Sequence, residues 1–128
     1  MGGPILQQLL GNEFSVESVG WFKNQIGEPA SADAIVVMRE LGIDISGHRA
    51  RWIGNIADLG QFSHIVCVNE DLRVKIRAIL ETDCTVLVAN EAGGGIPDPY
   101  KKGLNAYRDC LSILKCSLPG ITEKILGC

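Results

Sequence analysis

The sequence has 128 residues, of which 46% are hydrophobic and 21% charged, and its net charge is −3 at pH 7. A chain of this length can bury a core without disulfides or metals, so we predict a single domain over residues 1–128. The small negative charge gives no electrostatic reason to expect nucleic acid or an acidic membrane surface as a partner.

The sequence predicts no targeting segment, membrane span or cofactor. No apolar run approaches the ~18 residues that cross a bilayer. The N-terminus "MGGPILQQLL" also has no basic flank before its apolar stretch. The five cysteines contain no CxxC pair, so we expect reduced thiols, no metal site and no cofactor. Together these features predict a cytoplasmic protein.

The first half of the chain predicts a helix, a strand and a second helix. Pro4 suits the first turn of a helix, so we predict an opening helix over residues 4–11. The run "FSVESVG" predicts a strand over residues 14–20. A helix over residues 31–42 is indicated by Ser31, which can cap its start.

The second half alternates strands and helices. "HIVCVN" at 64–69 and "TVLVAN" at 85–90 are nearly continuous apolar runs, which is typical of strands buried on both faces. Between them, "EDLRVKIRAIL" at 70–80 predicts a helix whose first turn carries two acids. A helical stripe follows over residues 104–125, although Pro119 should break or kink it. The pattern predicts an α/β fold with a mostly parallel sheet between two layers of helices.

The stretch "GGGIPDPYKKGL" at residues 93–104 holds Asp98 between two prolines, just before Tyr100. Asp98 in this setting can make an ordinary turn, because its side chain bonds nearby backbone N–H groups. A carboxylate on such a loop could equally serve as a catalytic acid. The residues alone favour the turn.

Longer segments of the sequence resemble a known family. "ESVGWFKNQIGEPASADAIVVMRELGIDISGHRAR", followed by "IPDPYKKGLNAY", is similar to the low-molecular-weight protein tyrosine phosphatases over residues 4–118. The resemblance implies the phosphotyrosine phosphatase I-like fold, with Asp98 as the general acid and Tyr100 lining the substrate cleft. Related branches act on phosphoarginine or reduce arsenate, and the sequence does not select among these activities.

The same resemblance assigns further residues to the site. Trp21 lies where family members carry cleft-lining residues, and Asn24 replaces a frequent aromatic, which weakens the case for aryl-phosphate recognition. His48 matches a histidine that braces the phosphate loop, so we expect it to be structural here. Arg49 and Arg51 are candidate anion contacts, although two loop arginines are more often solvated.

The family's nucleophile is a cysteine that begins a Cys-x5-Arg-Ser/Thr loop after the first strand, and this sequence has no such loop before Pro4. "CVNEDLR", from Cys67 to Arg73, has the Cys-x5-Arg spacing of that loop. However, Glu70 and Asp71 would repel a phosphate dianion, and a phosphate loop needs converging N–H groups from small residues. We therefore interpret this stretch as the end of a strand followed by a helix.

Two principal functions follow from these observations. The first is a catalytically silent member of the family that acts as a binding or regulatory module. The second is an active protein phosphotyrosine or phosphoarginine phosphatase whose catalytic loop lies upstream of Met1. Reuse of the cleft by an unrelated enzyme ranks last, because no new nucleophile–base pair is evident.

The resemblance also predicts a gap in the sheet. In the family the first strand lies between the second and third, so without it the strands at 14–20 and 64–69 would have unpaired inner edges. Buried backbone groups without partners are unfavourable. We expect a strand from another copy or from a protein partner to fill the gap, rather than direct closure.

Overall fold

The computed structural model describes residues 1–56, 58–81 and 83–127, so Cys128 of the five predicted free thiols lies outside the described residues. The helices and strands, in chain order, are α1 Gly2–Leu10, α2 Ala32–Glu40, β1 His64–Cys67, α3 Glu70–Ile79, β2 Thr85–Val88 and α4 Leu104–Leu126. None of the helices in these ranges combines the length and apolar character that a bilayer span needs. The order of elements confirms the predicted α/β class.

The two strands form a small parallel sheet with helices on both faces. His64 lies opposite Thr85, and Cys67 lies opposite Val88. On one face α1 and α2 pack against α4, and on the other face α3 packs against both strands. The apolar side chains accordingly form two buried clusters, a larger one around α1, α2 and α4 and a smaller one around α3.

The predicted strand over residues 14–20 is wrong. Only Gly20 pairs with another segment, through an isolated parallel bridge to Trp52. Residues 14–19 have no regular secondary structure. A strand needs a neighbouring backbone along its edge, and the described residues place none beside this segment.

Gln7 of α1 provides the substitute bonding for this segment. Its side-chain Nε2 donates to the carbonyl oxygens of Gly11 and Phe14 at 3.0 and 2.8 Å. Its Oε1 accepts from the Val16 N–H at 2.9 Å. The Gln7 amide therefore makes hydrogen bonds to the backbone of this segment that a neighbouring strand would make in a sheet.

Side-chain caps fix the starts of two helices close to their predicted positions. Ser31 Oγ accepts from the Ala34 N–H at 3.2 Å at the start of α2. Asn69 Oδ1 accepts from the Leu72 N–H at 2.8 Å at the start of α3. Each cap satisfies one N–H that has no partner inside its helix, which is why these helices begin where they do.

The predicted break at Pro119 does not occur, since α4 runs unbroken through it. Leu118 precedes the proline and Ile121 follows it, and both are buried. The apolar stripe of the helix is therefore continuous across Pro119. The Thr122 hydroxyl also donates to the Leu118 carbonyl at 3.0 Å. Burial of both halves outweighs the one backbone hydrogen bond that proline removes.

The turn after β2 anchors the following loop to the end of β1. Asn90 has a positive φ of 53°, and its Nδ2 donates to the Gly95 carbonyl at 2.8 Å. Gly95 has a φ of 100°, and a Cβ there would lie 2.4 Å from the Val68 carbonyl oxygen. The Ile96 N–H donates to that same oxygen at 2.7 Å. This close approach explains the glycine at position 95.

The core of the larger cluster can be tested by a matched pair on α2. Met38 is fully buried, whereas Val36 is 43% exposed. We predict that Met38→Ala lowers the free energy of unfolding by about 2–5 kcal/mol, because it leaves a cavity. Val36→Ala should change it by no more than about 0.5 kcal/mol. Urea unfolding measures both, and equal effects would contradict this core.

A second pair tests the turn that anchors the loop. Gly94 and Gly95 both have positive φ, but an added Cβ meets no atom within 4 Å at Gly94. Gly94→Ala should therefore lower the free energy of unfolding by only about 1 kcal/mol, the cost of backbone strain at a positive φ. Gly95→Ala should destabilise the protein by clearly more, since it also clashes with backbone. Equal urea midpoints for the two variants would show that the turn does not touch β1.

Candidate functional site

Asp98 lies on the loop that follows the turn at Gly95. Its Oδ1 accepts from the Tyr100 N–H at 3.0 Å, and the Lys102 N–H donates to the Pro99 carbonyl at 3.0 Å. Asp98 is exposed, and Tyr100 is 53% exposed beside it. The carboxylate therefore forms the turn and remains open to solvent, so the structural and chemical roles of Asp98 are compatible.

Cys110 of α4 lies behind this loop. The thiol is buried, and its Sγ is 3.6 Å from the Pro97 carbonyl oxygen, to which it donates. Burial raises the pKa of Cys110, the N-terminal ammonium opposes this rise, and Asp98 adds to it. A thiol with a raised pKa is a poor nucleophile. No pattern in the sequence marks this neighbour, because Cys110 occupies an ordinary apolar position of the helix.

The amino terminus lies at the same end of the fold. Burial lowers the pKa of the Met1 ammonium, and Cys110 partly offsets that. His48 also has a lowered pKa, caused first by partial burial and then by the positive charges of the N-terminus and Arg49. The positive charge of the N-terminus therefore acts on both His48 and Cys110, opposing the rise in the pKa of the thiol and adding to the fall in the pKa of the imidazole.

The two candidate anion contacts are already engaged. The Arg49 guanidinium donates to the carbonyl oxygens of Ser46 and His48 at 3.3 and 2.8 Å. Arg51 forms an ion pair with Glu17 at 3.7 Å, and about half of each side chain is exposed. Both arginines therefore make their observed contacts with the protein itself.

The two remaining candidates lie on the segment after Gly20. Trp21 is partly buried against the smaller apolar cluster, and the Lys75 ammonium lies 5.9 Å from its ring centroid. Asn24 is exposed within a single 3-10 turn, Lys23–Gln25. Neither residue hydrogen-bonds to Asp98 in the part of the chain that the structure describes. Packing is thus the observed role of Trp21.

The segment from Cys67 to Arg73 is a strand end followed by a helix, as predicted. Cys67 is buried, and burial raises the pKa of its thiol. Asn69 caps α3, and Arg73 forms ion pairs with Glu70 and, at 2.6 Å, with Glu91. The arginine is therefore held by carboxylates and not directed at an anion site.

A groove with a volume of about 670 Å³ lies between residues 13–21 and residues 61–68. We call it the interstrand groove. Met1 and Gly3 line one part of it, and Ile96, at the start of the Asp98 loop, lines another. The groove occupies the place where the sequence predicted a gap in the sheet.

Comparison with known proteins agrees with this fold. The family model described as "Low molecular weight phosphotyrosine protein phosphatase" matches residues 4–126. The chain is 28% identical, over 90 residues, to the "Probable low molecular weight protein-tyrosine-phosphatase EpsP" of Ralstonia solanacearum. That alignment covers 70% of this chain and 62% of the relative, so the chain spans less than two thirds of that relative's length.

Two solved structures share the fold. Vibrio vulnificus Wzb in complex with benzylphosphonate has a TM-score of 0.81 at 25% identity, covering 96% of this chain and 87% of that one. The crystal structure of Primo-1 has a TM-score of 0.83 at 18% identity, covering 98% and 88%, and shows the fold alone. Because the family model matches residues 4–126 of the 128 residues of this chain, the chain belongs to the low molecular weight phosphotyrosine protein phosphatase family.

Proposed function

We propose that this chain is a catalytically silent member of its family that acts as a binding or regulatory module. One observation carries the proposal: no cysteine thiolate faces Asp98 within the described residues. The buried thiols of Cys67 and Cys110 both have raised pKa values, and the first lies at the end of β1 while the second lies behind the loop.

The chemistry explains why that observation matters. Phosphate-ester cleavage through a phosphocysteine needs a thiolate to attack phosphorus while an acid protonates the departing oxygen. Asp98 can supply the proton, but an acid alone contributes only about 10²–10⁴-fold even in a working site. Among the residues that the structure describes, the covalent route therefore has only the acid.

A second candidate function is an active phosphatase on protein phosphotyrosine or phosphoarginine, whose catalytic loop is supplied upstream of Met1. The exposed Asp98 and Tyr100 support it, as does the similarity to Vibrio vulnificus Wzb in complex with benzylphosphonate. An in-frame upstream strand that ends in Cys-x5-Arg-Ser would favour this active phosphatase over the catalytically silent module.

Activity measurements test the proposal directly. We predict that the purified 128-residue chain hydrolyses an aryl phosphate no faster than its Asp98→Asn variant. Cys67→Ser and Cys110→Ser serve as matched controls, and both should leave the rate unchanged. Turnover that falls at least tenfold in Asp98→Asn and in one cysteine variant would contradict silence and identify the nucleophile.

Anion binding gives an independent check. We predict that phosphate or vanadate binds more weakly than millimolar, because Arg49 and Arg51 are engaged by carbonyls and by Glu17. Isothermal titration of the chain and of its Arg49→Ala and Arg51→Ala variants measures this. Micromolar affinity that either substitution removes would show that a working anion cradle exists.

A further inference from the structure

Arg73 of α3 is a largely buried cation that the proposed function does not use. Its side chain is only 15% exposed, and its guanidinium forms ion pairs with two carboxylates, those of Glu70 and Glu91. Both ion pairs involve the same nitrogen, Nη2, whereas the Nε of Arg73 is buried and has no hydrogen-bond partner among the described residues. Burial of a charge is unfavourable unless its partners compensate for the lost water, so these two ion pairs determine where the side chain lies.

The two carboxylates belong to different parts of the fold. Glu70 lies in the first turn of α3, so its ion pair with Arg73 stays within one helix. Glu91 lies in the 3-10 turn Glu91–Gly93, which follows β2, and its Oε1 is 2.6 Å from Arg73 Nη2. Of these two ion pairs, the one with Glu91 connects α3 to another part of the fold.

The turn that contains Glu91 has a backbone that needs support from outside. Asn90, Gly94 and Gly95 all have positive φ, a region that residues with a side chain rarely adopt. The Gly95 N–H donates to the Asn90 carbonyl at 2.8 Å, which closes the turn but does not attach it to the rest of the protein. Uncommon backbone conformations persist only where surrounding contacts hold them.

Two polar contacts attach the turn to the segment of residues 68–73. The Ile96 N–H, directly after the turn, donates to the Val68 carbonyl at 2.7 Å. The ion pair of Arg73 with Glu91 holds the first residues of the turn. These contacts lie at opposite ends of the turn, so together they fix both of its ends.

The turn determines where the Asp98 loop begins. Pro97 is the one residue between Ile96 and Asp98. Its ring fixes its own φ and restricts the residue before it, so the chain has little freedom at this point. The Tyr100 N–H donates to Asp98 Oδ1 at 3.0 Å, which joins these two exposed residues in one local turn. A displacement of the turn is therefore passed on to Asp98 and Tyr100.

The burial of Arg73 distinguishes its ion pair from a second pair on the same helix. Lys75 and Asp71 lie 3.2 Å apart, and their side chains are 46% and 78% exposed. Exposed ion pairs of this kind contribute little to stability, because water and salt screen them. Glu91 is itself half exposed, but Arg73 is largely shielded, so their attraction is screened less.

We propose that Arg73 is a positioning residue for the Asp98 loop, and that its ion pair with Glu91 couples the start of α3 to that loop. Loss of this ion pair lets the turn and the loop open locally while the sheet and the helices stay folded. The inference goes beyond the proposed function, because it applies whether Asp98 acts as an acid or as part of a binding surface.

Two glutamate variants that share one guanidinium test the inference on the full 128-residue chain. Glu91→Gln removes the carboxylate on the turn, whereas Glu70→Gln removes the one within the helix, and both change the net charge equally. We expect Glu91→Gln to raise the hydrogen-exchange rates of the Gly95 and Ile96 amides at least tenfold, since local opening exposes them. Glu70→Gln should change these rates less than twofold. NMR resolves the exchange of each amide.

The same spectra separate local opening from a general loss of stability. The Ala89 N–H donates to the Cys67 carbonyl at 2.9 Å, so its exchange rate measures opening of the sheet. We expect that rate to stay within twofold of the parent protein's in both glutamate variants. The amide resonance of Tyr100 should shift in Glu91→Gln and stay unchanged in Glu70→Gln, because only the first variant displaces the loop.

Variants of the basic residues complete the test. Arg73→Met should accelerate exchange at Gly95 and Ile96 as much as Glu91→Gln does. The double variant should exceed either single variant by no more than twofold, because both substitutions break one contact. Lys75→Met removes the exposed ion pair of the same helix and should leave these amides unchanged.

Several results would overturn the inference. Equal acceleration in Glu70→Gln and Glu91→Gln would show that Arg73 stabilises only its own helix. Unchanged rates in Glu91→Gln would show that the bond from Ile96 to Val68 holds the turn without Arg73. Faster exchange of Ala89 to the same degree would indicate a general loss of stability. Hydrolysis in the Asp98 assay would overturn catalytic silence but would leave this inference standing.

Discussion

The one-sided pairing of β1 is the constraint on which the rest of the structure depends. β1 bonds to β2 along one edge, and its other edge faces a groove of about 670 Å³. Each buried backbone group without a partner is unfavourable by about 1–3 kcal/mol. A domain of this size has a free energy of unfolding of only about 5–15 kcal/mol. Hydrogen bonds to the free N–H and C=O groups of β1 therefore have a large effect on the stability of the fold.

The same constraint accounts for two other features. Residues 14–19 stay irregular because they have no neighbouring backbone, and Gln7 satisfies only part of their bonding. The core also divides into two clusters, one on each side of the sheet. A strand buried in the middle of a sheet contributes side chains to both faces, so without one the two clusters share less packing.

Local physical signals predicted much of the fold. The cap at Ser31 and the apolar runs of β1 and β2 depend on a few neighbouring residues, and the start of α2 and the bounds of both strands were predicted within about two residues. The strand at 14–20 was not, because a strand exists only with a partner edge that no local pattern specifies. Likewise, Pro119 remains within α4 because distant residues bury the helix on both sides of it.

The candidate site shows the same division between local and non-local information. The exposed turn of Asp98 follows from its two flanking prolines and could be predicted from the sequence. Cys110 could not be, because nothing in an apolar helical stripe marks the one cysteine that lies behind a loop. Gly95, in the glycine run before the loop, is required by its close approach to the Val68 carbonyl, which the sequence does not reveal.

That close approach bears on what the position of Asp98 means. The loop is held by the Asn90 side chain, by the bond from Ile96 to Val68 and by the contact from Cys110 to Pro97. None of these contacts involves the carboxylate, whose own bond to the Tyr100 N–H shapes only the local turn. A chain that no longer needed an acid would therefore still present residue 98 at the same place. The position of Asp98 accordingly reports the packing of the fold, and only a nucleophile opposite it would report catalysis.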